Sequence, residues 1–303
     1  VLDMNRAEIE ATLGTTVEIT RILEKDVDRD RGIEVPMELF TQNPDDVFND
    51  PEIDIVIELI GGVELATTWM LAALNAGKHV VTANKAALAA NYVELTEAAR
   101  KNNVQLRFEA SVGGGIPVLG TLLGPLCANK FEEVMGIVNG TTNYILTMMA
   151  TEGWTYEEAL KDAQALGFAE ADPSGDVMGK DAANKLSVLL ALMFDKIVKP
   201  EDIPTVGITE VTKEKMDEAA AAGCKIKLIA HAWYDEAGEL KYEVKPISLP
   251  LDHPLAGIDR EINAVMIKGN AVGEVTLVGK GAGPFPTASA VLGDVIDIVK
   301  ALN

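Results

Sequence analysis

The feature that most constrains this chain is a regular exchange of strand and helix signals through its first third. Thr16–Leu23 (TVEITRIL) reads as a strand, and Ile53–Leu59 (IDIVIEL) as a buried one that runs into Gly61-Gly62. Val63–Ala76 has helical periodicity and stops at Gly77. His79–Thr82 is a short apolar strand, Tyr92–Lys101 a helix, and Val104–Glu109 a further strand. Strands alternating with helices of this length predict an α/β fold, a parallel sheet with helices on its faces. In such sheets ligands bind beyond the carboxyl ends of the strands. Those ends carry Gly61-Gly62, Ala83-Asn84-Lys85 and Ala110-Ser111-Val112-Gly113-Gly114-Gly115. At each of them the backbone can approach a ligand closely, but glycines also simply end strands and helices.

After about Gly124 the pattern changes. Phe131–Val138 is strand-like, and Thr141–Met149 begins a helix. Thr155–Leu166 is a helix with Thr155 and Glu158 at capping-box spacing. An acidic loop, Gly167–Gly179, leads to a helix from about Asp181 to Phe194, and another helix lies near Thr212–Ala222. Lys225–Tyr234, a turn at Asp235–Gly238 and Leu240–Ile247 read as a hairpin. Two more strands, Ala264–Lys268 and Glu274–Gly279, precede Gly281-Ala282-Gly283 and a final helix, Thr287–Ala301. This half predicts a second, mixed α/β domain built on an open antiparallel sheet.

The formal net charge of −21 argues against nucleic acid and against anionic membrane surfaces. No apolar run reaches the roughly 18 residues that cross a bilayer. Cys127 and Cys224 are the only cysteines and have no partner at metal-ligand spacing, which fits a reducing cytoplasm. His79, His231 and His253 have no motif around them and read as packing or surface. The opening Val1-Leu2-Asp3-Met4 is neither an initiator methionine nor a signal peptide, and the expectation is that further residues lie upstream.

The densest chemistry lies in GFAEADPSGDVMGKDAANK, Gly167 to Lys185. Asp172-Pro173-Ser174-Gly175 is a turn signal, so Glu170, Asp172 and Asp176 are expected to project from a loop. Asp181 and Lys185 are four apart and share one helix face. An exposed ion pair beside a solvated loop would have the same sequence. Against that reading, the helix beyond Lys185 (Leu186, Val188, Leu189, Leu190, Ala191, Leu192) is apolar on nearly all sides. A lysine at the mouth of a buried helix is partly desolvated, which suits a proton donor, and a neighbouring carboxylate would orient it.

Asn84-Lys85 at a strand end is a second candidate, able to reach a cofactor phosphate, a nicotinamide or a substrate carboxylate. Val138-Asn139-Gly140-Thr141-Thr142-Asn143 places small polar groups at a strand-to-helix junction that favours an anion or a polar cofactor edge. Ordinary capping by Thr141 or Thr142 competes with that. Glu109 and the turn Val112–Ile116 could form a small oxygen-lined cation site.

Taken together, VVTANK (Val80–Lys85), FEASVGGGIPVL (Phe108–Leu119), VNGTTNYIL (Val138–Leu146), ALGFAEADPSGDVMGKDAANK (Ala165–Lys185) and GKGAGPFPTASAVLGDV (Gly279–Val295) closely resemble homoserine dehydrogenase. The resemblance runs from about Thr16 to Asn303, and the Gly167–Lys185 block is its most specific part. It implies NAD(P)-dependent interconversion of L-aspartate 4-semialdehyde and L-homoserine, a step toward threonine, methionine and isoleucine. On the matching positions it implies Lys185 as proton donor, Asp181 as its partner, and Glu170 and Asp176 in the substrate pocket. Lys85 is implied where nicotinamide, substrate and a proton path meet. Glu109 with the carbonyls of Val112, Gly114 and Ile116 corresponds to the family's sodium site. Gly61, Gly62, Asn139, Gly140, Thr141 and Gly283 are implied on the cofactor.

The resemblance also implies a Rossmann-type dinucleotide domain over residues 1–120 and a catalytic and dimerisation domain over 121–280. A return segment, 281–303, would pack on the first. The family begins with a strand and a Gly-x-Gly-x-x-Gly turn that cradles the pyrophosphate. No such turn precedes Thr16, and Leu2–Gly14 resembles the tail of the helix that follows it. At the second-strand end Lys25 and Arg29 lean toward NADP, whereas Glu24 and Asp26 lean toward NAD; the expectation is NADP. A homodimer or homotetramer is expected. A different amino-acid or semialdehyde dehydrogenase of the same architecture, or a non-catalytic nucleotide sensor, are the rivals.

Overall fold

A computed structural model describes residues 1–302. The first half contains two short parallel sheets. In one, β1 (Ile22–Leu23) pairs with β2 (Phe40–Thr41); in the other the order is β3 (Ile55–Glu58), β4 (His79–Thr82), β5 (Leu106–Arg107). Ile55 faces His79, and Val80 faces Leu106. The Glu64–Asn75 helix connects β3 to β4 and buries Ala66, Thr67, Met70, Ala73 and Leu74, a stripe at helical spacing. The connection from β4 to β5 is the Lys85–Lys101 helix, which begins seven residues before the Tyr92 start expected from periodicity. Non-helical angles at Asn91 interrupt it, which is why its first turns lack a clean pattern.

In this half three strands are shorter than their sequences suggest. Of Thr16–Leu23 only Ile22–Leu23 is paired, and of Val104–Glu109 only Leu106–Arg107. β-propensity reports a residue's fit to a pleated surface, but a partner's register decides where pairing starts. Glu109–Ser111 forms a single 3-10 turn instead. Arg6–Leu13 is helical, as read from Leu2–Gly14.

The second half carries a five-stranded antiparallel sheet in the order β10-β9-β6-β7-β8. Its strands are β6 (Phe131–Ile137), β7 (Cys224–Tyr234), β8 (Leu240–Pro250), β9 (Ile262–Gly269) and β10 (Gly273–Lys280). Ile226, Leu228, Ala230 and Ala232 alternate along β7 into the main core. There they join residues from the helices Gly140–Glu152, Tyr156–Ala165, Lys180–Phe194 and Lys213–Ala221. On the other face Met135, Ile137, Ile229, Ala264 and Met266 form a smaller cluster with Leu249 and Leu255.

The last helix, Pro284–Leu302, returns to the first half. Its Val291, Val295 and Ile298 pack on Val81 and Ala110, and Leu292, Ile296 and Val299 on Leu2, Ile9 and Leu13. At the crossing Gly114 lies against the Gly281 carbonyl so tightly that no Cβ would fit, and its φ is +57°. Only glycine satisfies both conditions.

Candidate active site

The Lys180–Phe194 helix starts from Gly179, whose φ of 82° and contact with Thr205 exclude a side chain. Asp181 therefore sits in the first turn and Lys185 one turn later, on a face turned into the protein. Lys185 is 8% exposed. Its Nζ donates to Asp181 Oδ2 at 2.7 Å and to the Val138 carbonyl, the residue after β6, at 2.6 Å. An ammonium has three N–H donors, so one remains for a ligand.

Lys85 reaches the same carboxylate from the other half. It is the first residue of its helix, after an Asn84 cap that accepts from the Ala87 N–H. Its Nζ lies 3.2 Å from Asp181 Oδ1. Burial acts to raise the Asp181 pKa, but Lys185, Lys85 and Asn139 outweigh it and hold the carboxyl well below the usual range. Asp181 is thus ionised between a buried lysine and a partly exposed one, and the pair with Lys185 is not an exposed helix pair.

Asn139 caps the next helix in place of Thr141 or Thr142; its Oδ1 accepts from the Thr142 N–H at 2.9 Å. Its Nδ2 donates to both Asp176 Oδ1 (2.7 Å) and Asp181 Oδ2 (2.9 Å). Gly140 is pressed against the Glu261 carbonyl, which leaves no room for a Cβ. Asp176 belongs to a short helix, Ser174–Val177, and is half-buried, which corrects its placement on a solvated loop. Burial pushes its carboxyl pKa up, Asn139 pulls it down, and the nearby Asp181 charge raises it again.

Glu170 is exposed, and its side chain makes no hydrogen bond or ion pair among the described residues. Its carbonyl is held by Gln164 Nε2 at 3.0 Å, and Thr141 Oγ1 ties the neighbouring Phe168 carbonyl. The loop is anchored while the carboxylate stays free.

A cleft of about 1110 Å³ opens beside Lys85. Its polar end is lined by Gly61, Gly62, Asn84, Lys85, Gly283 and Thr287, at the carboxyl ends of β3 and β4. Elsewhere, among the segment 15–20, β3 and the last helix, it is walled by Ile55, Ile57, Val295 and Val299 and suits no anion. Added Cβ atoms at Gly61 and Gly62 would meet nothing within 4 Å, so the turn surface is open.

Beyond β1, Glu24 pairs with Arg31 at 3.2 Å and accepts from the Asp26 N–H. That backbone bond, then Arg31, lowers the Glu24 pKa. Arg31 also lies over the Phe40 ring. Sequence reasoning missed Arg31, which comes from a loop beyond Lys25 and Arg29. Lys25 is exposed.

Glu109 is 9% exposed, and burial raises its pKa. Both carboxylate oxygens accept backbone N–H groups, from Leu119 and Gly120, at the start of the Val118–Leu123 helix. The Ile116 carbonyl accepts from Val118. The donor set is all oxygen, as a hard cation requires, but the carboxylate and the Ile116 carbonyl already have partners.

Known proteins bear on this arrangement. The family model described as "Homoserine dehydrogenase" matches residues 117–296, and "Homoserine dehydrogenase, NAD binding domain" matches 2–109. A Bacillus subtilis protein named homoserine dehydrogenase is 45% identical over 291 residues, covering 96% of this chain and 67% of that protein. A solved homoserine dehydrogenase from Thiobacillus denitrificans superposes with a TM-score of 0.94 at 41% identity, over 99% of this chain and 69% of that one. A hyperthermophilic archaeal homoserine dehydrogenase solved in complex with NADPH matches with a TM-score of 0.73 at 33% identity, over 86% of this chain and 75% of that one. The chain spans about two thirds of the length of the Bacillus subtilis and Synechocystis relatives, at 67% and 66%.

Proposed function

The chain belongs to the homoserine dehydrogenase family, and from that premise we propose that it carries the nicotinamide-dependent reduction of L-aspartate 4-semialdehyde to L-homoserine, and the reverse. The observation that carries the reading is the Lys85–Asp181–Lys185 bridge at the mouth of a glycine-lined cleft. When bound, the cofactor supplies or takes the hydride at the substrate carbon. Lys185 holds the proton at Nζ and delivers it to the carbonyl oxygen as negative charge develops there. Asp181 and the Val138 carbonyl take two of its three donors and aim the third. Lys85, with one contact on Asp181, has donors left for the nicotinamide end or the substrate carboxylate. Glu170, free at the anchored loop, takes the substrate ammonium, and Asp176 completes that pocket.

NADP is the favoured cofactor. Arg31 offsets Glu24 where the 2′-phosphate would lie, with Lys25 and Arg29 nearby. Gly61, Gly62, Asn139, Gly140, Thr141 and Gly283 are proposed to border the cofactor. Glu109 with the Val112, Gly114 and Ile116 carbonyls is proposed to hold sodium, and no chemical step runs through it. The domain division at residues 120 and 280, a homodimer or homotetramer formed through the second domain, and a cytoplasmic location complete the proposal. No helix in the described residues is long and apolar enough to cross a membrane.

The test follows reduced-nicotinamide absorbance with L-homoserine and each cofactor, for the wild type and Lys185→Ala. The reading requires turnover that Lys185→Ala reduces at least about a thousandfold with the fold intact. Equal turnover in the two proteins would refute it.

A further inference from the structure

One buried carboxylate outside the lysine bridge stands directly behind the cofactor cleft. Glu58, the last residue of β3, is 5% exposed and takes no part in the lysine bridge. Its Oε1 accepts from the Ile60 N–H at 2.8 Å and the Gly61 N–H at 3.3 Å. Its Oε2 accepts from the Thr82 hydroxyl, at the end of β4, at 2.6 Å. The same hydroxyl oxygen accepts from the Asn84 N–H at 2.9 Å, and Asn84 Nδ2 donates to the Gly62 carbonyl at 2.8 Å. The chain of bonds closes on itself through the Gly61-Gly62 turn, where both glycines have positive φ (74° and 70°).

Neighbouring backbone N–H groups in a glycine turn commonly form an anion-binding concavity. Here the protein's own carboxylate already occupies it. Gly61, Gly62, Asn84 and Lys85 all line the cleft, and Lys85 touches Asp181, so this turn sits beside the reacting end. With the Ile60 and Gly61 N–H groups already donating inward, this turn has fewer donors to offer a phosphate.

Resting on the function proposed above, we propose that Glu58 is a positioning residue: it occupies the Ile60 and Gly61 amides at the Gly61-Gly62 turn, so that the turn seats the nicotinamide-ribose end of the cofactor and not a phosphate. Through Thr82 and Asn84 it also fixes the start of the helix on which Lys85 is the first residue.

The experiment uses the full chain as Glu58→Ala, Glu58→Gln and Thr82→Val. NADPH affinity is measured by fluorescence without substrate, alongside thermal unfolding and steady-state kinetics. Losing the acceptor for two amides should weaken NADPH at least about tenfold in Glu58→Ala, a larger change than in the semialdehyde KM, which moves only through Lys85. Glu58→Gln should recover most of that loss. Its carbonyl oxygen still accepts from the turn, and its amide can donate to the Thr82 oxygen. If Glu58→Ala does not fold, Thr82→Val reads the same split, with a loss of about threefold. Unchanged NADPH affinity in a folded Glu58→Ala, or in Thr82→Val where Glu58→Ala does not fold, overturns the proposal. So does a Gln variant as damaged as Ala in both affinity and melting temperature, which marks a purely structural carboxylate. Failure of the wild type to bind either nicotinamide defeats the function itself, a different outcome.

Discussion

Asp181→Asn tests the centre of the site with the least change of shape. It removes the charge shared by Lys185 at 2.7 Å and Lys85 at 3.2 Å. At an effective dielectric near 20 those attractions are each about 5–6 kcal/mol before desolvation is counted. Desolvation offsets much of this, because Asp181 and Lys185 side chains are only 15% and 10% exposed. The Lys85 arm is 35% exposed and is discounted for solvent screening. Breaking a buried pair by removing one partner leaves a net loss of about 3 kcal/mol at neutral pH. The amide oxygen stays where Lys185 and Asn139 both donate and its NH2 turns toward Lys85, so Lys185 keeps only an uncharged acceptor, the Lys85 contact is lost, and kcat should fall about a hundredfold.

The pH dependence follows from the direction of the Asp181 shift. Its folded pKa lies below the unfolded value, so its stabilisation is complete above the unfolded pKa and is lost as pH falls toward the folded one. The wild-type advantage over Asp181→Asn in urea unfolding should stay constant from neutral pH to about 5 and narrow below that. Turnover measured by nicotinamide absorbance completes the assay. A kcat within threefold of wild type, together with equal unfolding curves at neutral pH, would refute the account of this bridge.

Glu170→Gln should raise the L-homoserine KM at least about tenfold and leave the melting temperature alone, since the side chain is exposed and unbonded in the fold. Arg31→Ala should lower the preference for NADPH over NADH about tenfold when the two kcat/KM values are compared; an unchanged ratio removes Arg31 from cofactor choice. Asp259→Asn should lower the melting temperature by several degrees with kcat kept. Lys227, 1% exposed and with its pKa lowered by burial, would lose the one charge that offsets its ammonium and keep only neutral oxygens, among them the Ile258 carbonyl and Asn143. An unshifted melting curve would show that neutral acceptors suffice.

Much of the site was legible because its signals are local. Asp181 and Lys185 share a helix face by spacing alone, and the apolar run after them announced the burial found for Lys185. The capping box at Thr155 and Glu158 also depends on neighbours in the chain, and it forms as written. What stayed hidden depends on distant partners. Asn139 joins Asp176 and Asp181 across 37 and 42 residues, and no spacing rule reaches that far. Glu58 lay inside an apolar strand run, where its role is defined only once β4 lies alongside. Asp176 reads as loop because its turn residues are polar, yet Asn139 draws it inward.

The Lys85–Asp181 contact is, among the described residues, the one ion pair between the half that carries the parallel sheets and the half that carries the antiparallel sheet. The carboxylate that orients Lys185 within one half is therefore also the anchor for a lysine from the other, so on the function proposed above the seating of the two halves and the charge around the proton donor are set at one side chain.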